Sequence, residues 1–371
     1  MGASALEGLL VVDLSRVLAG PLVAMTLGDL GAEVIKIESP SGDDTRSWGP
    51  PFDAEGRATY HHAANRNKRS VALDLSQPSG RELALRLCSR ADVVVSNFRV
   101  GTLERFGLGY DQVAAENAGV VYCEVSGFGE RAGRDLPGYD PLVQALGGLM
   151  SVTGPPGAPS KVGVALIDVI AGLYGATAVL AALHERAASG SGQRVTLNLM
   201  HVSLAALVNQ ATGWLGAAAE PVALGNVHPS IEPFSTYAAA DGELMICVGN
   251  DRQFEALAKV VGLEDDDRFR SNADRVGHRA ALRELLEQRL ATRSCSEWTS
   301  AMSAAGVPAG PVQSVPAAFA LAEALELDAV DETGGVRTVA FPASLSRTPA
   351  TVRRRPPALD EHGDEIRQEL R

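Results

Sequence analysis

The residue best placed to do chemistry in this sequence is a carboxylate in an apolar setting. Asp168 is the single charged side chain within residues 162–183, VGVALIDVIAGLYGATAVLAAL. Burial there would raise its pKa unless nearby N–H groups supported the anion. The loop TGPPGAPS at 153–160 precedes this run and HERAASGSGQR at 184–194 follows it, so a helix begins close to Asp168. Two readings stand side by side: a capping or first-turn acid, favoured by backbone N–H dipoles, or an active-site acid held in an apolar wall. The run is also long enough to span a bilayer. Its Ala, Gly and Val content, the cost of roughly 2.5 to 3.5 kcal/mol for a carboxylate at the bilayer centre and the lack of a second such run favour a buried helix of a soluble protein.

Other chemistries lack their residues. The first strand is followed by SRVLAGPL instead of GxGxxG, and neither GxxxxGK[ST] nor GxSxG occurs. Cys88, Cys123, Cys247 and Cys295 are scattered, without CxxC or a histidine at ligand spacing, which points to free thiols in the reducing cytoplasm and to no metal site. Asp+Glu 45 against Lys+Arg 33 leaves a net charge of −12, the wrong sign for a broad nucleic-acid face. Residues 1–15 carry no basic n-region and no cleavage site of an export signal.

The elements that must position Asp168 follow from periodicity. Short apolar runs at 9–15, 33–39, 70–76, 92–98, 120–129 and 193–199 read as strands, and the segments between them, including 18–32, 78–91 and 102–118, are long enough for two to four helical turns. This alternation predicts an α/β lobe with a mainly parallel sheet. The chain has 371 residues, 46% of them hydrophobic and 21% charged, enough for two lobes with full cores. Composition changes near GNVHPSIEPF at 225–234, where a second lobe begins with the strand ELMICVG and amphipathic helices around 252–261 and 278–290. The boundaries drawn are a large domain at 1–200, a linker at 201–224, a small domain at 225–315, a linker at 316–331 and a return to the large domain at 332–371.

Several longer motifs carry a resemblance. DLSRVLAGPLVAMTLGDLGAEVIKIESP, NRNKRSVALDL (65–75), VSNFRVGTLERFGLGY (95–110), SGFG (126–129), GYDPLVQALGG (138–148), SGSGQRV, GNVHPSIEPF, AAGVPAGPV and RRPPALDEH look like class III CoA-transferases of the CaiB/BaiF type, over essentially the whole chain. The resemblance implies a Rossmann-like large domain with a parallel sheet, a smaller α+β domain, and two chains interlocked as a homodimer. It places the nucleophile on Asp168, and Tyr139 and Asp140 of GYD beside the reacting thioester, against an ordinary reading of a core tyrosine and a helix cap. It implies CoA contacts at Val17, Ala19, Asn97 and Arg105, with Lys36 and Arg69 as further cations for the phosphates. Lys36, Arg66, Lys68, Arg69, Arg99 and Arg105 all lie near predicted strand ends, although any of them could be a plain surface charge. His228 would reach the acyl or acceptor group, or simply hold its own loop.

The activity so implied moves CoA from an acyl-CoA donor to a free carboxylic acid, through an aspartyl anhydride and an aspartyl-CoA thioester, with CoA as substrate and no permanently bound cofactor. An alpha-methylacyl-CoA racemase is the competing reading, but members of that group carry His where this chain has Tyr139. A non-catalytic CoA-binding protein is a third. The glycine run of formyl-CoA transferases is missing from the second lobe, which makes oxalate doubtful, and GNVHPSIEPF looks more like the general carboxylate-transfer members, among which succinyl-CoA is a common donor; the sequence itself fixes neither donor nor acceptor.

Overall fold

The computed structural model describes residues 4–264 and 266–371. Two compact units emerge: one comprises the chain up to Leu149, Val162–Ala219 and Glu326–Arg371, the other Met150–Lys161 and Glu220–Leu325.

In the first unit, strands β1 (Leu10–Asp13), β2 (Glu33–Glu38), β3 (Lys68–Ala72), β4 (Val93–Ser96), β5 (Val121–Ser126) and β6 (Gln193–Asn198) form one sheet in the order β3-β2-β1-β4-β5-β6. Every pairing in it is parallel. Neighbouring residues go to opposite faces, as the two-residue period of a strand requires. Val11, Val34, Val93, Val95, Val121 and Cys123 pack on one side. Val12, Ile35, Val94 and Tyr122 pack on the other. The first face is covered by α1 (Ala19–Asp29) and α7 (Leu166–Ser189). The second is covered by α3 (Pro78–Arg90) and α5 (Tyr110–Glu116), together with the final helix, α15 (Gly363–Glu369), which brings the tail back to this unit through Ile366. The short α2 (Thr59–His62) and α4 (Thr102–Arg105), and α6 (Asp140–Leu146), α8 (Leu199–Ala206) and α9 (Val208–Ala217), complete the helices between the strands and after β6. Strands β10 (Val330–Thr333) and β11 (Val336–Val339) pair as a hairpin.

The second unit holds the antiparallel sheet β7 (Phe234–Ala238), β8 (Glu243–Cys247) and β9 (Ala309–Pro311), with α10 (Asp251–Val261), α11 (Asn272–Gly277), α12 (Arg279–Leu290), α13 (Cys295–Ala304) and α14 (Val315–Ala324). Its core is Tyr237, Leu244, Ile246, Leu257, Leu282, Leu286, Trp298 and Met302.

Several expectations change. Residues 150–161 group with the second unit, and the presumed linkers at 201–224 and 316–331 contain helices α8, α9 and α14. Strand β3 starts two residues before the predicted 70–76, because Lys68 and Arg69 are inside it and buried. The helix expected over 102–118 breaks into α4 and α5 around Gly107, whose φ of +74° suits glycine. Finally, α7 is only half buried. It is long and apolar enough to cross a membrane by length and composition. Its inner face, Ile167, Ala171, Gly175, Ala176, Val179 and Ala182, lies within the unit, while Leu173 and Tyr174 are 56% and 53% exposed. A Cβ on Gly175 would sit 2.6 Å from Val23 Cγ2, so the glycine is what lets α7 lie against α1.

Candidate active site

The strand order reverses between β1 and β4, and the crevice outside their carboxyl ends is where open parallel sheets bind ligands. A cleft of about 210 Å³ opens there, lined by residues 16–19 after β1, 97–100 after β4, 125–129 at the end of β5, Tyr139 and Asp168. The loop after β1 is fixed through its backbone. Lys36 Nζ donates to the Ser15 carbonyl at 2.9 Å. Asn97 exchanges two hydrogen bonds with Arg16, accepting from its N–H at 2.8 Å and donating to its carbonyl at 2.6 Å. The Val17 N–H donates to Asp43 at 3.2 Å. Val17 is thereby held at φ +67°, a conformation costing a β-branched residue on the order of 1 to 3 kcal/mol.

Below this loop lies a closed set of charges. Lys68 Nζ is 2.8 Å from Asp13 and Lys36 Nζ is 3.0 Å from Asp43, with all four side chains essentially out of contact with solvent. Burial works against the Asp13 anion, but Lys68 and Lys36 overcome it and bring the carboxyl below the usual range. Burial also pushes the Lys68 ammonium down, to about 8.

These pairings correct the cation assignments. Lys36 is spent inside the protein, and Lys68 with it. Arg66 pairs with Asp29 at 2.6 Å. Arg69 lies toward the amino ends of the strands, where it pairs with Glu33 and Glu369 at 2.5 and 2.7 Å. None of the four is a free cation at the cleft. Asn97 lines the cleft, but its amide is already committed to Arg16. Arg105 is exposed on α4, 3.4 Å from Thr102 Oγ1 and outside the cleft lining. Arg99 does line it, as do two arginines the sequence reading passed over, Arg16 and Arg134. Arg16 lies over the Phe98 ring at 5.2 Å. Its position just past the first strand was the available signal; Arg134, in a loop of mixed polarity, had none.

Asp168 is the third residue of α7, a first-turn acid as the plain reading expected, but it does not cap that helix. The N-cap, Ala165, has no side chain able to accept. Asp140, buried at the start of α6, does the work from outside: its Oδ2 accepts from the N–H groups of Ile167 at 2.8 Å and Asp168 at 3.2 Å. Gln144, one turn further along α6, donates to Asp140 Oδ1 at 2.5 Å. The capping reading therefore belongs to Asp140, although for a different helix from the one it begins. Tyr139, which precedes it, is 59% exposed in the cleft and is no core residue. With its helix N–H groups taken by Asp140, the Asp168 carboxylate faces the cleft with no donor on it among the described residues. Burial, and then the charge of Asp140, push it up to about 7. Burial and the same two carboxylates also raise the Tyr60 phenol on α2, whose ring meets Trp48 edge-on at 5.2 Å. Neither aromatic was singled out from sequence.

His228 lies in the second unit. Its Nδ1 accepts from the Ser230 N–H at 3.1 Å, its carbonyl accepts from Arg279 at 2.9 Å, and its ring is 5.3 Å from that of Phe234. The described residues contain no group of three or more His, Cys, Asp or Glu side chains placed to hold a metal ion, and all four cysteines are free thiols.

A half-buried carboxylate with a pKa near neutrality, unpaired in the ligand crevice of a parallel sheet, can act as a nucleophile or as a proton carrier. Comparison with known proteins narrows this. Residues 6–363 match the family described as CoA-transferase family III. The chain belongs to that family. It is 41% identical to a succinate–glutarate CoA-transferase of Agrobacterium fabrum, over 98% of this chain and 95% of that one. It is 37% identical to the mouse succinyl-CoA:glutarate CoA-transferase, covering 98% and 86% of the two chains. The crystal structure of a CaiB/BaiF family protein from Brucella suis superposes with a TM-score of 0.91 at 42% identity, with both chains fully covered. This family III CoA-transferase is thus an enzyme whose substrates are an acyl-CoA and a carboxylic acid.

Proposed function

We propose that this enzyme moves CoA from succinyl-CoA to a second dicarboxylic acid of similar length, such as glutarate, with Asp168 as the covalent nucleophile. The observation that carries the reading is the bare Asp168 carboxylate, left without a donor because Asp140 takes the N–H groups of its helix. An Asp168 oxygen attacks the thioester carbonyl and CoA thiolate leaves, giving a mixed anhydride. The thiolate then attacks the Asp168 carbonyl carbon, forming an aspartyl-CoA thioester and releasing succinate. The acceptor carboxylate attacks that thioester and expels the thiolate, which finally takes the new acyl group and frees Asp168. No net proton transfer is required. The dicarboxylate assignment follows the names of the Agrobacterium and mouse relatives.

Within this reading Val17 and Ala19 contact CoA through the loop after β1, Asn97 holds that loop, and Arg16, Arg99 and Arg134 supply positive charge for the phosphates. Arg105 acts from the neighbouring helix. Tyr139 borders the thioester, and His228 is a candidate substrate contact. The functional form is a homodimer in the reducing cytoplasm. Leu173 and Tyr174 on α7 and Val208, Trp214 and Leu215 on α9 expose apolar surface that a second copy would cover. Sedimentation should show no folded monomer on dilution.

The deciding experiment incubates the protein with succinyl-CoA and no acceptor. The expected product is enzyme-bound CoA that hydroxylamine converts to a hydroxamate on Asp168, read by peptide mass spectrometry. An adduct on Asp140 or Glu232, or none at all, overturns the assignment. A carboxyl near 7 would also serve a racemase; rapid washing of deuterium from solvent into the alpha carbon of a 2-methylacyl-CoA would establish that alternative.

A further inference from the structure

We propose that Gln144 is a positioning residue for the nucleophile. Its amide ties the chain just before α7 to Asp140, and so keeps the first N–H groups of that helix on Asp140 and off Asp168. This rests on the reading of Asp168 as the nucleophile.

Gln144 is fully buried. Its Nε2 donates to Asp140 Oδ1 at 2.5 Å and to the Val164 carbonyl at 3.3 Å, while its Oε1 accepts from the Val162 N–H at 2.8 Å. An amide has two N–H donors and one carbonyl, and each is used here. A flipped amide would set oxygen against the Asp140 carboxylate and NH2 against a backbone N–H, so one orientation alone fits. Asp140 and Gln144 share a face of α6 because they are four residues apart. Val162 is where the chain re-enters the first unit, and three residues later α7 is about to begin. Asp140 thus holds the first turn of α7 while Gln144 holds the segment leading into it.

If that lead-in were released, the Ile167 and Asp168 N–H groups could turn from Asp140 toward the Asp168 carboxylate. Hydrogen bonds to a carboxylate favour its anion and weaken it as a nucleophile. The charges that reach Asp168 are Asp140 on α6, and the Tyr60 phenol on α2 lies in the field of both. Helix α8, also packed on α6, contributes the exposed His201.

Gln144→Met keeps the side-chain length and removes all three hydrogen bonds. In the full-length protein, kcat for transfer from succinyl-CoA to glutarate should fall at least about tenfold while KM for succinyl-CoA stays within about twofold. The Asp168 titration midpoint should drop by about one unit or more from a wild-type value near 7. That midpoint is read by 13C NMR of aspartate-labelled protein and assigned from the signal lost in Asp168→Asn. It needs no turnover, so wild type that transfers no CoA would defeat the proposed function while the midpoint still decides this inference. A folded Gln144→Met variant with an unchanged midpoint overturns the proposal, whatever its kcat. If that variant does not fold, Gln144→Leu, which also carries no hydrogen-bonding group and adds no charge beside Asp140, takes its place; it should lower kcat and the midpoint in the same way, and unchanged values would overturn the proposal.

Discussion

Beneath the loop after β1, Asp13 and Asp43 face Lys68 and Lys36 at 2.8 and 3.0 Å, whereas at the start of α7 Asp168 faces Asp140 and meets no cation among the described residues. Both regions lie on the carboxyl side of one sheet, and both take carboxylates out of water. In the first, lysines more than offset burial and the acids are held well below their ordinary range. In the second, burial and a like charge act together and the acid rises to about 7. Paired acids of the first kind build the loop that lines the cleft; an acid of the second kind remains free to react.

The sharpest way to break this comparison is Asp168→Asn. CoA transfer should fall by at least about 10³, on the order of 4 kcal/mol in barrier, in a steady-state assay. Folding should not suffer, since Asp140 supplies the cap. A carboxyl whose native pKa is raised stabilises the fold at low pH and loses that contribution as pH rises through the native value. Asp168→Asn should therefore melt higher than wild type at pH 8, with the advantage gone below about pH 4. Equal melting curves at pH 8 would show that Asp168 is not strained in the native state.

Removing a cation from the paired region should have the opposite result. Lys68→Met leaves Asp13 buried without its 2.8 Å partner and should cost about 3 to 5 kcal/mol in denaturant unfolding. A loss below about 1 kcal/mol would place this pair with ordinary surface bridges.

The pH dependence of the wild type separates the regions without mutation. Asp13, Asp43 and Glu38 are lowered, so their stabilisation is present above about pH 4 and is lost as pH falls through their native values. Transfer activity, under the proposal that the Asp168 anion is the nucleophile, should instead rise with pH through about 7. Activity and stability should thus fail at different pH values on acidification, as seen by running both assays over one buffer series.

Smaller effects should come from packing and from the rim. Gly175→Val forces a side chain into the 2.6 Å approach to Val23 and should cost about 1 to 3 kcal/mol by thermal unfolding. Arg99→Ala should raise KM for acyl-CoA by the equivalent of about 1 to 3 kcal/mol, and Arg105→Ala by less, because Arg99 lines the cleft and Arg105 does not. The reverse order would restore Arg105 as the main phosphate contact.

Much of the architecture was written in local pattern. Valine-rich runs separated by helical segments determine a parallel sheet because only strands buried on both faces tolerate such runs, and five of the six predicted strands lie where expected. The family was legible from its long motifs, and one charge in an apolar stretch was enough to make Asp168 a candidate. Pairing was not legible. Lys36, Lys68 and Arg69 read as strand-end cations, but whether a lysine faces solvent or a buried aspartate depends on residues brought in from other segments, and tertiary structure turned all three inward. The same holds for Asp140, which begins one helix and caps another 27 residues later. Sequence determined which acid could be a nucleophile; the fold decided which acid takes the helix N–H groups, because that depends on how α6 lies against the start of α7.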